Sequence, residues 1–367
     1  MSDTRIQAFK TAIAALDNKT AKLFLFAPDT KGQPTASVNT IYTWGKHLQN
    51  MGYSPVILHE RKDYVKPDAW MGSDYPELPH ACAEEKNVQL SLNDFLFIPE
   101  LYANVMESTK NIPSHRVVIT QAYDSILDLL QPGKSWTDFG IGESVTICES
   151  QKKYINYLMP SIRTDVVNIS IPTYFAPSDK PQKPVVSIHT RDQRDTLRIV
   201  KTFFLKYPQY RWVTFRELRG LPREQFAEAI KESCLVVWDD PNAGFGTFPL
   251  EAFRCGTPLL GVQPFLKPDW MSQDGREAIW AKHTKDLPDG IGNFFRVWLE
   301  DLIPQELYDN MKPFQEGGEL DYTVEKEKKS LEAYMTNLFA RRREQLSQAL
   351  AQLEAQQPKN EIINLFD

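Results

Sequence analysis

Apolar positions along the chain fall into two kinds of pattern. Ile6, Phe9, Ile13 and Leu16 recur at steps of three and four, one stripe of an opening helix. Short apolar runs then follow within residues 22–28, Pro55–His59, Phe95–Pro99, Val117–Thr120, Val145–Cys148 and Val166–Ile171. A helical stretch over about Val38–Gln49, closed by Gly52, separates the first two. Brief apolar runs separated by helix-length polar segments predict strands buried on both faces, hence a parallel sheet with helices on each side.

The Pro-rich polar stretch Ala176–Pro184 interrupts this rhythm and reads as a linker. The beat then restarts with strands at Val185–Ile188, Trp212–Phe215, Leu235–Trp238 and Pro258–Val262. Helices are expected over about Thr196–Tyr207, Arg223–Ser233 and Thr247–Arg254, with Gly256 as a C-cap, then near Ile291–Asp301, Pro304–Met311 and Val324–Ala355. The fold class is therefore α/β, with two Rossmann-like doubly wound parallel-sheet domains. Their expected extents are residues 1–178 and 179–320, with residues 321–367 as a C-terminal helix that crosses or extends from them. Ligands of such sheets sit outside the carboxyl ends of the strands, so a cleft between two of them is where chemistry is expected.

Composition narrows the class. At 367 residues two or three domains are expected. Hydrophobic residues make up 42 % and charged residues 25 %, which excludes disordered and fibrous chains. The net charge of −6 argues against a general coat of nucleic acid or anionic membrane. No apolar leader opens the chain, and no run reaches the roughly 18 residues of a membrane span. Cys82, Cys148, Cys234 and Cys255 form no C-x-x-C pair, which fits a reducing cytoplasm without disulfides or a zinc site. Arg341, Arg342 and Arg343 read as a solvated helix face.

The segment Trp238–Pro258 carries the sharpest chemistry. A buried strand ends in Asp239 and Asp240, a Gly-Phe-Gly turn follows, and a helix begins. Gly244 and Gly246 permit positive φ and close backbone approach to a ligand, while Thr247 suits an N-cap and Pro249 a first turn. A helix start of this kind favours an anion such as phosphate. Glu251, one turn in, offers a carboxylate to sugar hydroxyls. Upstream, Arg191 and Arg194 follow the first strand of the second domain, and a guanidinium pairs two phosphate oxygens while keeping its charge. Arg216 and Arg219 sit after the next strand, within reach of a base or phosphate. No Asp-x-Asp triplet, Gly-x-Ser-x-Gly elbow or Walker loop occurs, so metal-clamped, hydrolase and P-loop readings fall away.

These residues resemble the GT-B glycosyltransferases, especially the retaining family-4 type, whose motif is E-G-F-G-x-x-x-L-E followed by A-x-x-x-G-x-P. Here the chain reads Ala243-Gly-Phe-Gly-Thr-Phe-Pro-Leu-Glu251, then Ala252, Gly256 and Pro258. The resemblance implies transfer of a sugar from a nucleoside diphosphate sugar to a hydroxyl with retained configuration. It implies no required metal and no cofactor beyond the donor. It assigns Glu251 to the nucleotide ribose and Arg191 and Arg194 to the diphosphate, with Arg191 and Glu251 as the residues that carry the reaction. Arg216, Asp240, Gly244, Gly246, Thr247 and Phe248 complete the expected donor site. The family's first Glu falls on Ala243, so Asp240 or Asn242 takes over the sugar contact, the donor is unusual, or the protein binds sugar nucleotides without turning them over. On the first-domain side, Gly32, Gln33, Thr35, Ser37, His59, Gln121 and Tyr123 are the expected acceptor contacts. The wording around His189–Asp195 and Phe245–Ala252 also resembles glycosyltransferases of tailed phages, some of which act on hydroxymethylated bases in DNA. That acceptor would use Arg61, Lys62 and Lys66 with Lys152, Lys153 and Arg163.

Overall fold

A computed structural model describes residues 2–85, 88–179 and 182–356. Twelve strands are described: β1 Lys22–Phe26, β2 Ser54–His59, β3 His80–Cys82, β4 Phe95–Pro99, β5 His115–Thr120, β6 Glu143–Thr146, β7 Arg163–Val166, β8 Lys183–Thr190, β9 Thr214–Glu217, β10 Ser233–Asp239, β11 Leu259–Val262 and β12 Ile279–Ala281. The α-helices are α1 Ser2–Asp17, α2 Ala36–Asn50, α3 Asp68–Met71, α4 Ala103–Ser108, α5 Tyr123–Leu129, α6 Glu149–Leu158, α7 Gln193–Lys206, α8 Arg223–Glu232, α9 Thr247–Arg254, α10 Leu287–Leu299, α11 Gln305–Met311 and α12 Val324–Ala355.

The strands form two all-parallel sheets, ordered β3-β2-β1-β4-β5-β6-β7 and β12-β11-β10-β8-β9. All five residues of β4 and all seven of β10 are buried, because each lies inside a sheet covered on both faces. The chain reverses its direction of sheet growth between β1 and β4 in the first lobe and between β8 and β10 in the second. Such reversal points open a crevice at the carboxyl ends of the strands.

The two lobes share an apolar core. One continuous cluster runs from Trp44 on α2 through Phe175 to Phe253 on α9 and Leu338 on α12. The helix α12 starts beyond the second lobe yet packs on α1, α2 and β7 of the first. Its stripe of Leu331, Met335, Leu338 and Leu346 is buried there. The chain therefore crosses between the lobes twice, and the crossings are joined where Ile171 N–H donates to the Tyr322 carbonyl at 2.9 Å.

Several sequence expectations need correction. The expected strand Val166–Ile171 ends at Val166, and the next residues leave the sheet to meet the returning chain. The strand expected at Trp212–Phe215 begins only at Thr214. The three-residue edge strands β3 and β12 are additions to the expected set: β3 reads His-Ala-Cys, with no apolar run, and β12 reads Ile-Trp-Ala, too brief to stand out as a strand. Of the arginine triplet only Arg343 is exposed, where it pairs with Asp17; Arg341 and Arg342 are not solvated. Arg341 Nη2 lies 2.7 Å from Glu143 and 2.9 Å from Asp165, and Arg342 Nη2 donates to the Leu92 carbonyl at 2.9 Å. Burial works against the Glu143 carboxylate, but His115 and Arg341 outweigh it and hold its pKa down at about 2.

Candidate functional site

The second lobe's reversal point places Arg191 at the end of β8 beside Asp240 at the end of β10. The turn after Asp240 passes through Gly244 at φ +73° and Gly246 at φ +68°. A Cβ at Gly244 would lie 2.8 Å from Tyr123 Cδ1 and 3.0 Å from Gln151 Nε2, both from the first lobe. Only a bare backbone lets the turn come that close. Here the expectation for Thr247 is corrected: α9 begins at Thr247 itself, the cap is Gly246, and no side chain caps the helix. With no capping side chain, the first-turn N–H groups are available to an anion.

A cavity of about 320 Å³ lies against this helix start. Arg191, His189, Thr247, Phe248 and Glu251 line it from the second lobe, and Pro34, Thr35 and Trp70 from the first. The Phe248 and His189 rings stack with centroids 5.0 Å apart. Burial, helped by the charge of Arg219, lowers the His189 pKa to about 4, so this imidazole is neutral near pH 7. Arg219 Nη2 donates to the carbonyls of Thr190 at 3.2 Å and Arg191 at 3.3 Å, fixing the end of β8.

Glu251 is 2 % exposed and accepts from Arg223 Nη1 at 2.8 Å. Arg223 is a lining residue of the cavity that the sequence did not reveal, since it reads there as an ordinary helix start. Its guanidinium sits 5.0 Å above the Phe175 ring. Burial opposes its charge, but Glu251 and Tyr174 overcome this and raise its pKa. Its Nε has no partner among the described residues.

Arg191 bridges the lobes. Its Nη1 lies 2.6 Å from Asp124 at the start of α5 and 3.5 Å from Asp240. Burial raises the Asp240 pKa to about 6; Arg191 counters this only partly, and Asp124 adds to it. The carboxyl is thus neutral below about pH 6 and gains a charge above it. A diphosphate bound beside it would be repelled only in the charged form, so for the donor that the sequence resemblance implies, affinity is expected to fall as pH rises through 6. Asp240→Asn is expected to flatten that dependence and hold the tighter, acid-side affinity at pH 7; titration calorimetry from pH 5 to 8 reads it. Because the carboxyl's folded pKa exceeds its ordinary 3.8, the stability it contributes is present at low pH and lost as pH rises towards 6.

The other expected residues are distributed as follows. Arg194 turns back onto Asp192 at 2.6 Å, is 77 % exposed at its side chain and does not line the cavity. Arg216 pairs with Glu232 at 3.1 Å, away from the cavity. In the first lobe, Gly32 has φ +75°, Gln33 is exposed, and Thr35 caps α2 by accepting from Val38 N at 3.3 Å. Ser37 offers its carbonyl to Gln121 Nε2 at 3.2 Å. Tyr123 abuts Gly244. His59 stacks on Tyr64 at 4.6 Å and lies apart from the cavity. Within the basic set, Arg61 pairs with Asp63, Lys152 with Glu149 and Arg163 with Asp165. Among the described residues no group of three His, Cys, Asp or Glu side chains is placed to hold a metal ion, and no helix is long and apolar enough to cross a membrane.

Two facing parallel-sheet lobes with a cleft between their reversal points define the GT-B architecture of glycosyltransferases. The chain is similar in fold to sucrose-phosphate synthase from Thermosynechococcus elongatus, with TM-score 0.60 and 11 % identity over 87 % of this chain and 99 % of that one. The catalytic domain of starch synthase IV from Arabidopsis thaliana, bound to ADP and acarbose, gives TM-score 0.53 and 9 % identity over 88 % of this chain and 99 % of that one. In sequence the chain is 23 % identical over 206 residues to an alpha-1,6-glucosyltransferase of Actinobacillus pleuropneumoniae serotype 7 (strain AP76). That match covers 53 % of this chain and 59 % of the curated relative, so it spans little more than half of either. No family model matches the chain.

Proposed function

We propose that the protein is a glycosyltransferase that moves a sugar from a nucleoside diphosphate sugar to an acceptor hydroxyl with retained configuration. The observation that carries this reading is that Arg191, the uncapped start of α9 and Glu251 all border one cavity. The diphosphate lies across the Gly244–Thr247 turn, where helix N–H groups and Arg191 take up its charge. Glu251 receives the ribose hydroxyls, and Arg223 holds that carboxylate in place. Asp240, next to Arg191, takes the donor sugar's hydroxyls on this reading, because Ala243 stands at the position of the motif's first Glu. The loop Glu217–Leu221 edges the same cavity and faces the base. The fold neighbour that binds ADP and the curated glucosyltransferase relative support a nucleotide-linked glucosyl-type donor.

Catalysis on this reading is positioning and charge stabilisation. The guanidinium and the helix start stabilise the departing diphosphate, and no metal ion is needed for that charge. The departing diphosphate itself takes the acceptor proton, so no side-chain nucleophile is required.

The test is a panel of nucleoside diphosphate sugars incubated with the full chain, with release of nucleoside diphosphate as the readout. Slow release without acceptor is expected for one donor, and EDTA should leave its rate unchanged. Donor binding without any release would leave a sugar-nucleotide-binding protein. Loss of the rate in EDTA with recovery on added magnesium would overturn the metal-free part, and no binding of any donor would overturn the whole.

A further inference from the structure

A second chamber of about 310 Å³ lies behind the first, and both cavities are bordered by Ala36, Asn39, Arg223, Thr247 and Glu251. Its walls are α2 of the first lobe, the crossing segment Ile169–Tyr174 and the start of α12. Asn39, Thr43, Lys46, His47 and Asn50 line it from one face of α2, at the spacing of three and four that a helix repeats. A helix face turned towards a neighbouring lobe is ordinarily apolar; here every α2 residue that lines the chamber beyond Ala36 is polar.

The hydrogen-bonding state of the lining is asymmetric. The acids are already supplied with donors. Glu251 holds Arg223, Asp74 accepts from Tyr174 Oη at 2.7 Å, and Glu327 accepts from Trp44 Nε1 at 3.1 Å and from the Ser170 hydroxyl. Apart from Arg223, the nitrogen donors are not so occupied. Lys46 and Lys328 make no ion pair or hydrogen bond among the described residues, and neither do the Asn39 and Asn50 side chains. His47 is 5 % exposed and neither ring nitrogen has a hydrogen-bond partner, although Nε2 lies 3.5 Å from Glu327. Such a buried unpartnered imidazole is costly unless something completes it.

We propose that this second chamber binds a small polyol bearing a phosphate monoester, the phosphate between Lys46 and Lys328 and the hydroxyls against Asn39, Thr43 and Asn50. A phosphate supplies acceptor oxygens to both ammonium groups, and hydroxyls suit amides and a threonine. The inference rests on the donor reading only for its relation to the reaction: with a sugar nucleotide in the first cavity, the ligand sits across the Arg223–Glu251 wall from it. The same chemistry serves an acceptor substrate or an effector that is not consumed.

The experiment is titration calorimetry of the full chain with sn-glycerol 3-phosphate, with inorganic phosphate and glycerol as controls. Binding of the phosphate ester, and weaker binding of either control, is expected. The Lys46→Ala/Lys328→Ala double variant should lose at least about tenfold in affinity for the ester while binding UDP or ADP unchanged. Lys46→Arg/Lys328→Arg should retain ester binding. No binding of the ester, or equal binding by the alanine variant, overturns the proposal. Mass spectrometry after incubation with the accepted donor separates the two sources: a hexose-bearing ester marks an acceptor, and an unchanged ester an effector. Ester binding with no nucleotide binding would remove the donor reading and leave the chamber. Nucleotide binding with no ester binding would do the reverse.

Discussion

Replacing Arg223 with alanine is expected to destabilise the protein by about 3–5 kcal/mol, the range for stripping one partner from a buried ion pair. Glu251 is 2 % exposed and has Arg223 as its ion-pair partner, so the variant strands a carboxylate away from water. The guanidinium also covers the Phe175 ring, and that packing goes with it. Urea unfolding of the native and variant chains measures the loss. Adding Glu251→Gln in the same background should restore part of it, because a neutral amide costs less to leave unpaired than a carboxylate. A loss below about 1 kcal/mol would mean that water reaches Glu251 and that Arg223 does not hold it.

The second large effect is expected on binding. Arg191→Ala should weaken affinity for the sugar nucleotide by about 1.5–3 kcal/mol, or roughly 10- to 150-fold. Its stability should scarcely move, since the Arg191 side chain is 49 % exposed and its pairs are partly screened. Asp124→Ala should act in the opposite direction. Asp124 now occupies the guanidinium at 2.6 Å, and an arriving diphosphate has to displace it. Removing that competitor frees the cation and tightens donor binding. Calorimetry on both variants decides the matter: equal affinities in all three proteins would take Arg191 out of the donor site.

What the sequence reveals follows from what its patterns can encode. Strands buried on both faces announce themselves as apolar runs, so β1, β4 and β10 are legible, and α9 and α12 start and stop where the turn chemistry and polar periodicity place them. β3 and β12 are three-residue edge strands whose pairing is decided by the neighbour; His-Ala-Cys carries no strand pattern and Ile-Trp-Ala is too short to show one. The site divides the same way. Gly244, Gly246 and Glu251 sit in one motif and can be read together. Arg223 matters because of a partner 28 positions away, and Arg341 because of one 198 positions away. Hydrophobic periodicity says which face of a helix is covered, not which charge waits beneath it. Arg194 shows the converse: a residue type suited to phosphate, one turn too far along, satisfied by its own neighbour Asp192.

The returning helix has a mechanical consequence. Because the polypeptide passes between the lobes twice, at adjacent points tied through Ile171 and Tyr322, the lobes are joined along a line rather than at a point. The buried Arg254–Asp321 pair, with Arg254 also donating to the Phe175 carbonyl, rivets that line to α9. Two ropes side by side resist twisting and sliding but still bend. Any opening of the cleft is thereby reduced to a single swing, and because Arg223, Thr247 and Glu251 border both chambers opposite Ala36 and Asn39, that swing widens the two together.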